Sequence, residues 1–366
     1  MPDIVAGKKI RISPKKLGSL VRNYTETARL MDLVYVTDHT PGISKMVKGT
    51  SMQYFFNGTR ITDKTTLKRI KALVIPPAWK DVWICPDENG HIQVTGIDTK
   101  NRKQYRYHPL WTVIRNQTKY YRLRDFGRSI PAIRKRLEHD LALKQLTKNK
   151  VLATIVSIME QTSIRVGNNV YEKLYGSYGL STLKDQHVHI HGSDMNFSFK
   201  GKKGIYHRIN MKSRRIANIV RTCKDIPGKE LFQYYDENGQ RHSIDSGEVN
   251  AYIRELSGAD FTSKDFRTWA GTLNCLMAFH EIGEADTVTQ TKKNIVQALD
   301  KVASCLGNTR TVCKKHYVHP IIISFYEEQK LGSYFTSLAD NKELRNESRE
   351  GLTPVEEILL TILEKH

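Results

Sequence analysis

The sequence predicts an α+β protein: a small N-terminal domain on an antiparallel sheet, residues 1–112, then a mainly α-helical domain, residues 113–366, carrying a three-stranded β element. Three observations predict it. Short alternating segments separated by hairpin dipeptides dominate up to about residue 112, helical periodicity dominates from about 113, and one island of alternation at 187–210 interrupts the helices. With 366 residues and 39% hydrophobic content, the chain can bury a real core and is neither a disordered tail nor a disulfide-stapled miniprotein.

In the N-terminal part, residues 33–38 (LVYVTD) alternate and are expected as a strand, and YFFNGTRI turns at Asn57-Gly58, the dipeptide favoured in two-residue hairpins. Residues 63–74 place Leu67, Ile70, Leu73 and Val74 at helical spacing, and Pro76-Pro77 stop that helix. A second hairpin is expected around Asn89-Gly90. It leads into a strand, Arg102, Lys103, Gln104, Tyr105, Arg106, Tyr107, in which extended backbone puts Tyr105 and Tyr107 on one face.

In the second part, 113–146, 151–176, 214–224, 247–256, 267–283, 289–305 and 354–365 read as helices. The last is the best signalled, with Thr353 as cap, Pro354 in the first turn, Glu356 completing a capping box, and a stripe of Val355, Ile358, Leu359, Ile362 and Leu363. In the island, HVHIH, MNFSFKG and GIYHRI read as three strands, and Gly201-Lys202-Lys203-Gly204 is a turn presenting two lysines.

Lys+Arg number 58 against Asp+Glu 38, a formal charge of +20, and residues 100–150 alone hold fifteen Lys/Arg against three Asp/Glu. Such a surface suits a polyanion, because neutralising phosphates releases condensed counterions. The alternation of cations and rings over 102–107 favours nucleic acid over a membrane surface. The five cysteines are odd in number and form no C-x-x-C pair, which argues against a disulfide framework or zinc knuckle and for a reducing compartment. The opening residues have no apolar stretch suited to a signal peptide, and no run reaches the length of a membrane span. The expectation is an intracellular protein, of bacterial cytoplasm or a viral replication compartment, without membrane association.

No G-x-x-x-x-G-K-[ST] phosphate loop and no G-x-G-x-x-G fingerprint occurs, so a nucleotide-driven or dinucleotide enzyme has no support. His187, His189 and His191 would align on one strand face, but about 7 Å apart, too far for all three to hold one ion. His280 and Glu284 share a helical face without completing a zincin pattern. No metal and no cofactor are expected.

What remains is a set of cations and one tyrosine. SIRVGNNVY (163–171), FKGKKG (199–204), KDFRTWAGT (264–272) and LGNTRTVCKKHYVHP (306–320) resemble, in order and spacing, the catalytic segments of type IB DNA topoisomerases of the short poxvirus and bacterial kind. NRKQYRYHPLW (101–111) resembles their DNA-contacting strand, so the likeness runs from about residue 50 to 320. Carried over, it implies a 3′-phosphotyrosyl mechanism with Tyr317 as nucleophile and Arg165, Lys202, Arg267 and Asn308 completing the site. It implies DNA contacts by Arg102, Gln104, Tyr105, Tyr107, Asn168 and Tyr171, double-stranded DNA as partner, and a monomer.

The residue types suit that chemistry. A tyrosyl phosphodiester keeps the energy of the broken linkage, so resealing needs no ATP, and two guanidiniums can clamp the non-bridging oxygens where other enzymes use a divalent ion. Lys202, at a turn tip, can reach the leaving 5′-oxygen as general acid; Lys200 and Lys203 compete for that role. Asn308 stands where poxvirus enzymes carry histidine, and an amide can donate a hydrogen bond but not a titrating proton. Two alternatives are a tyrosine recombinase and a non-catalytic basic DNA-binding protein. Recombinases usually show H-x-x-R around the second arginine, where this chain has Lys264 in K-D-F-R, and the joint presence of Arg165, Lys202, Arg267 and Tyr317 disfavours a dead fold.

Overall fold

The computed structural model describes residues 4–5, 8–9, 24–48, 51–99, 103–339 and 350–365. The chain divides into two compact units, Met1–Arg122 and Leu123–His366. The division falls inside one long helix, beyond the change of periodicity at 112.

In the first unit, β1 (Ile4–Val5) and β2 (Lys8–Lys9) pair with each other, and helix α1 spans Tyr24–Leu30. The main sheet is formed by β3 (Ile43–Lys48), β4 (Ser51–Phe56), β5 (Thr59–Arg60), β6 (Lys80–Ile84), β7 (Ile92–Ile97) and β8 (Lys103–Tyr107), in the order β5-β4-β3-β6-β7-β8 with antiparallel pairings throughout. Asn57 and Gly58 both have positive φ, 48° and 78°, and join β4 to β5 as the dipeptide predicts. Helix α2 (Lys64–Ala72) starts where Asp63 accepts from the Thr66 N–H at 2.7 Å, and packs Ile70 against Ile43, Tyr54, Val82, Ile84 and Val94.

One expectation for this unit fails. Residues 33–38 are not a strand; Val34 makes an isolated bridge to Gly90, and the segment is tied to His91, whose ring stacks on Tyr35 at 4.2 Å and accepts from the Val36 N–H. The ladder position belongs to β3, whose ISKMVK lacks a clean apolar alternation. The hairpin expected around Asn89-Gly90 is present as β6–β7, and Asp87 organises its connection, accepting from the N–H groups of Asn89 and Gly90.

Helix α3 (Pro109–Leu141) crosses the division. The second unit is organised around α4 (Lys148–Thr162), in which every residue from Val151 to Met159 is buried. The helix predicted over 151–176 is two. Ser163 takes a left-handed φ of 56° and ends α4, and α5 (Asn169–Tyr175) follows, because the intervening backbone pairs elsewhere: Arg165 O and Val166 O accept from the N–H groups of Leu180 and Ser181 at 2.9 and 2.6 Å. The predicted three-stranded element is present as β9 (Val188–His191), β10 (Asp194–Lys200) and β11 (Tyr206–Lys212), with β10 central. Helix α6 (Arg214–Lys224), the unpredicted hairpin β12 (Gln233–Tyr235) and β13 (Arg241–Ser243), and α7 (Ser246–Ser257) follow. Then come α8 (Ser263–Ile282), α9 (Val288–Leu306), α10 (Arg310–His316), α11 (Pro320–Glu327), α12 (Gly332–Ala339) and α13 (Pro354–Lys365). Among the described residues no helix is long and apolar enough to cross a membrane.

Candidate active site

Four segments of the second unit converge on one basic cleft of about 240 Å³, lined among others by Arg165, Asn168, Tyr171, Lys202, Lys264, Arg267 and Tyr317. Each is placed by a local device. Arg165 lies in the backbone-paired loop after α4. Arg267 sits one turn into α8, behind a capping box in which the Asp265 carboxylate accepts from the Thr262 N–H and hydroxyl at 2.8 and 2.9 Å. That engagement leaves the guanidinium to backbone carbonyls: it donates to Ser163 O and, at 2.9 Å, to Leu306 O, and is only 4% exposed.

Asn308 follows the left-handed Gly307 (φ 57°) that ends α9, and its N–H bonds back to Ala303 O at 3.0 Å. Its Oδ1 accepts from Arg165 at 2.5 Å, which orients the amide, and Arg165 also reaches Gly307 O at 3.4 Å. Tyr317 closes α10, with its N–H on Cys313 O at 2.9 Å and its carbonyl accepting from Thr272 at 3.2 Å, so its ring is held against α8. The Arg267 guanidinium lies 5.1 Å from the centre of that ring.

Lys202 sits on the exposed turn between β10 and β11, its ammonium 5.5 Å from the centre of the Tyr171 ring. Lys203 takes a left-handed φ of 63° at the same turn, and Lys200 ends β10 on an exposed strand position. Lys202, unlike Lys200 and Lys203, lines the cleft.

The electrostatics are those of an uncompensated cation pair. Burial and then the Arg267 charge bring the Arg165 guanidinium down to about 10, and burial lowers Arg267 also, against the pull of Tyr317. Both stay protonated at neutral pH. No carboxylate lines the cleft among the described residues. Arg267 Nε and Asn308 Nδ2 are buried donors without a hydrogen-bond partner, an arrangement suited to an anion with several acceptor oxygens.

Of the proposed DNA contacts in this unit, Asn168 is exposed and Tyr171 half-buried at the cleft wall. In the first unit, β8 carries Tyr105 and Tyr107 stacked at 5.9 Å on one face, Tyr105 being 45% exposed. Gln104 lies on the other face, donating to Asp98 at 2.9 Å, and Arg102 lies outside the described residues. The three histidines do not form a row. His187 is buried in a 3₁₀ turn beneath Tyr178, whereas His189 and His191 are exposed. Among the described residues, no group of three or more His, Cys, Asp or Glu is placed to hold a metal.

Two further residues, one lining the cleft and one in a small cavity beside it, escape the sequence reading as site members. Lys264 was visible in K-D-F-R, one turn from Arg267, but weighed only as a departure from a histidine. His207 reads as an ordinary alternating strand residue, and its place beside Arg165, Lys202 and Arg267 appears only in three dimensions.

The family model described as eukaryotic DNA topoisomerase I, catalytic core, matches residues 101–333, and that of the bacterial DNA topoisomerase IB N-terminal domain matches residues 53–98. The DNA topoisomerase 1B of Acanthamoeba polyphaga mimivirus is 35% identical over 283 residues, covering 75% of this chain and 83% of that protein. DNA topoisomerase I of Monkeypox virus and DNA topoisomerase 1B of Vaccinia virus (strain Copenhagen) are each 24% identical over 239 residues, covering 64% of this chain and 72% of theirs. The order of the four segments, their convergence on one cleft and these matches agree: the chain belongs to the type IB DNA topoisomerases.

Proposed function

We propose that this topoisomerase relaxes supercoiled duplex DNA by nicking one strand through Tyr317, letting the nicked end rotate about the intact strand, and resealing. The observation that carries the reading is the pair of unpartnered buried donors, Arg267 Nε in the cleft that also holds Arg165, Lys202 and Tyr317, and Asn308 Nδ2 on the amide that Arg165 orients.

The Tyr317 oxygen attacks phosphorus and gives its proton to solvent water, the bond to the 5′-oxygen breaks, and Lys202 protonates that oxygen. Reversal by the 5′-hydroxyl regenerates the phosphodiester, so no nucleotide is consumed. Arg165 and Arg267 meet the charge that grows on the non-bridging oxygens, and Asn308 adds a neutral donor. That set supplies the stabilisation a metal ion would provide, so the scheme requires none. Residues 1–112 hold DNA and 113–366 carry the chemistry. Arg102, Gln104, Tyr105, Tyr107, Asn168 and Tyr171 contact the duplex, with phosphate contacts fixing register. Because one chain supplies the whole set, the enzyme works as a monomer, on intracellular DNA of a bacterial cytoplasm or a viral replication compartment.

Tyr317→Phe tests the reading. Plasmid relaxation and the covalent adduct captured by denaturation should both vanish while duplex binding persists, and wild-type relaxation should survive excess EDTA without nucleotide. A wild-type adduct mapping to another residue would overturn it.

A further inference from the structure

His207 stands in a place that its strand position does not explain. It pairs with Phe199 across β10 and β11, and the two rings stack at 5.2 Å and 22°. The rest of the imidazole is wedged between two glycine backbones, each immediately preceding a site residue. A Cβ on Gly201, before Lys202, would lie 2.5 Å from His207 Cδ2 and 2.6 Å from Nε2. A Cβ on Gly307, before Asn308, would lie 2.2 Å from Cε1 and 3.1 Å from both nitrogens. Gly201 has an extended backbone (φ −90°) that any residue adopts, so it is the ring, not the backbone, that requires glycine there.

The far wall of the wedge is fixed. Arg267 holds Leu306 O and Arg165 holds Gly307 O, so the end of α9 is tied to the two guanidiniums. The near wall is a short turn, closed by Gly201 N–H to Ile205 O at 2.7 Å, with Lys202 exposed at its tip. The ring therefore sets how far the Lys202 turn stands from the Asn308 shoulder. Ionisable neighbours in the same small cavity are Arg165, Tyr178, Lys202, Arg267 and Cys305, so a neutral ring suits the position and a charged one does not.

We infer that His207 is a positioning residue, a neutral strut that braces the general-acid turn against the end of α9 and so places the Lys202 ammonium at the leaving oxygen. The inference rests on the reading of Lys202 as the acid.

The test compares single-turnover strand cleavage of an ordinary duplex with cleavage of one carrying sulfur in place of the scissile 5′-oxygen, a leaving group that needs no proton. Lys202→Ala should be slow on oxygen and largely restored on sulfur; absence of rescue defeats the acid assignment and this inference with it. His207→Ala should slow the oxygen substrate by about 10²-fold, the effect of a displacement near 1 Å, and should likewise be restored on sulfur. If Lys202→Ala is rescued and His207→Ala slows both substrates equally, or neither, the acid stands and the strut is wrong.

A second comparison guards against simple misfolding. Gly201→Ala alone should lower the thermal midpoint, because its methyl meets the ring, and adding His207→Ala should raise the midpoint again by opening that space, while oxygen cleavage stays as slow as in His207→Ala. A double variant no more stable than Gly201→Ala overturns the wedge.

Discussion

Two buried arginine sites in the second unit differ in what surrounds them. Arg134 on α3 is bound by carboxylates: Nε meets Glu160 at 2.8 Å, the two terminal nitrogens meet Glu356 at 2.9 Å each, and Gly351 O accepts as well. Burial opposes the Arg134 charge, but Glu160 and Glu356 outweigh it and raise its value. Burial opposes the Glu356 charge too, yet Arg134, the Thr353 N–H and the Trp269 indole hold its carboxyl below the usual range. Arg165 and Arg267, buried to a similar degree, have carbonyls, an amide and a tyrosine ring instead, and are lowered. The first site is complete in itself and ties α3 to the capping box of α13. The second spends positive charge in a place where the fold gains little from it, as expected of a site organised for an anion.

The sharpest way to break this comparison is to remove one arginine from each site. Arg134→Ala leaves Glu356 buried without its main partner and should destabilise the fold by about 3–5 kcal/mol, read as a lower midpoint in denaturant. Arg165→Met should leave stability within about 1 kcal/mol of wild type while cutting single-turnover cleavage by roughly 10²–10³-fold. Arg165→Lys should recover little activity, because a single ammonium cannot replace the planar fork. If Arg165→Met unfolds the protein and Arg134→Ala only slows cleavage, the two sites have been assigned the wrong way round.

The same contrast explains which parts of the molecule were legible in the sequence. The capping box at Thr353 is local and could be read directly, and so could the hairpin at Asn57-Gly58. Tyr317, Arg165, Lys202 and Arg267 stand out in the sequence only through the resemblance of their four segments, in order and spacing, to one family, because no local signal separates each from an ordinary surface residue. The strand at Ile43–Lys48 was not legible, because its apolar alternation is weak and its place is decided by pairing with β4 and β6. The break in the helix over 151–176 was hidden for a related reason: Ser163 and Arg165 give no stop signal, and the turn is held by backbone bonds to Leu180 and Ser181. His207 was hidden most deeply, since its meaning lies in Gly201 and Gly307, one at each side of a ring neither segment announces.

A pH series sharpens the comparison at intermediate size. Burial, then the charges of Arg165 and Arg267, lower His207 from the ordinary 6.5. As pH falls below that value the unfolded chain takes up this proton before the folded one, so stability declines toward acid through this group and rises again with pH. His207→Ala should make the thermal midpoint fall less steeply below pH 6.5 than in wild type. An unchanged slope would mean that the imidazole does not feel the two arginines, and the picture of an uncompensated cation pair would weaken with it.

The smallest effect is expected in the first unit, where the same distinction between satisfied and open groups runs along β8. Lys103 is engaged by Asp38 at 2.6 Å, and Gln104 by Asp98, whereas Tyr105 presents an exposed ring backed by Tyr107. Tyr107 in turn packs against the cluster of Ala28, Met31, Leu33, Trp111 and Ile114, so changing it disturbs the fold. Tyr105→Ala should leave the thermal midpoint unchanged and weaken duplex binding by about 1 kcal/mol, roughly fivefold in Kd. Because the ring carries no charge, the salt dependence of binding should keep its slope. A phosphate-bound lysine would instead lower that slope by about 0.9 per contact. Binding titrations at several salt concentrations therefore separate a ring that touches DNA from a charge that does. Unaltered binding by Tyr105→Ala would move the DNA contact off this face of β8.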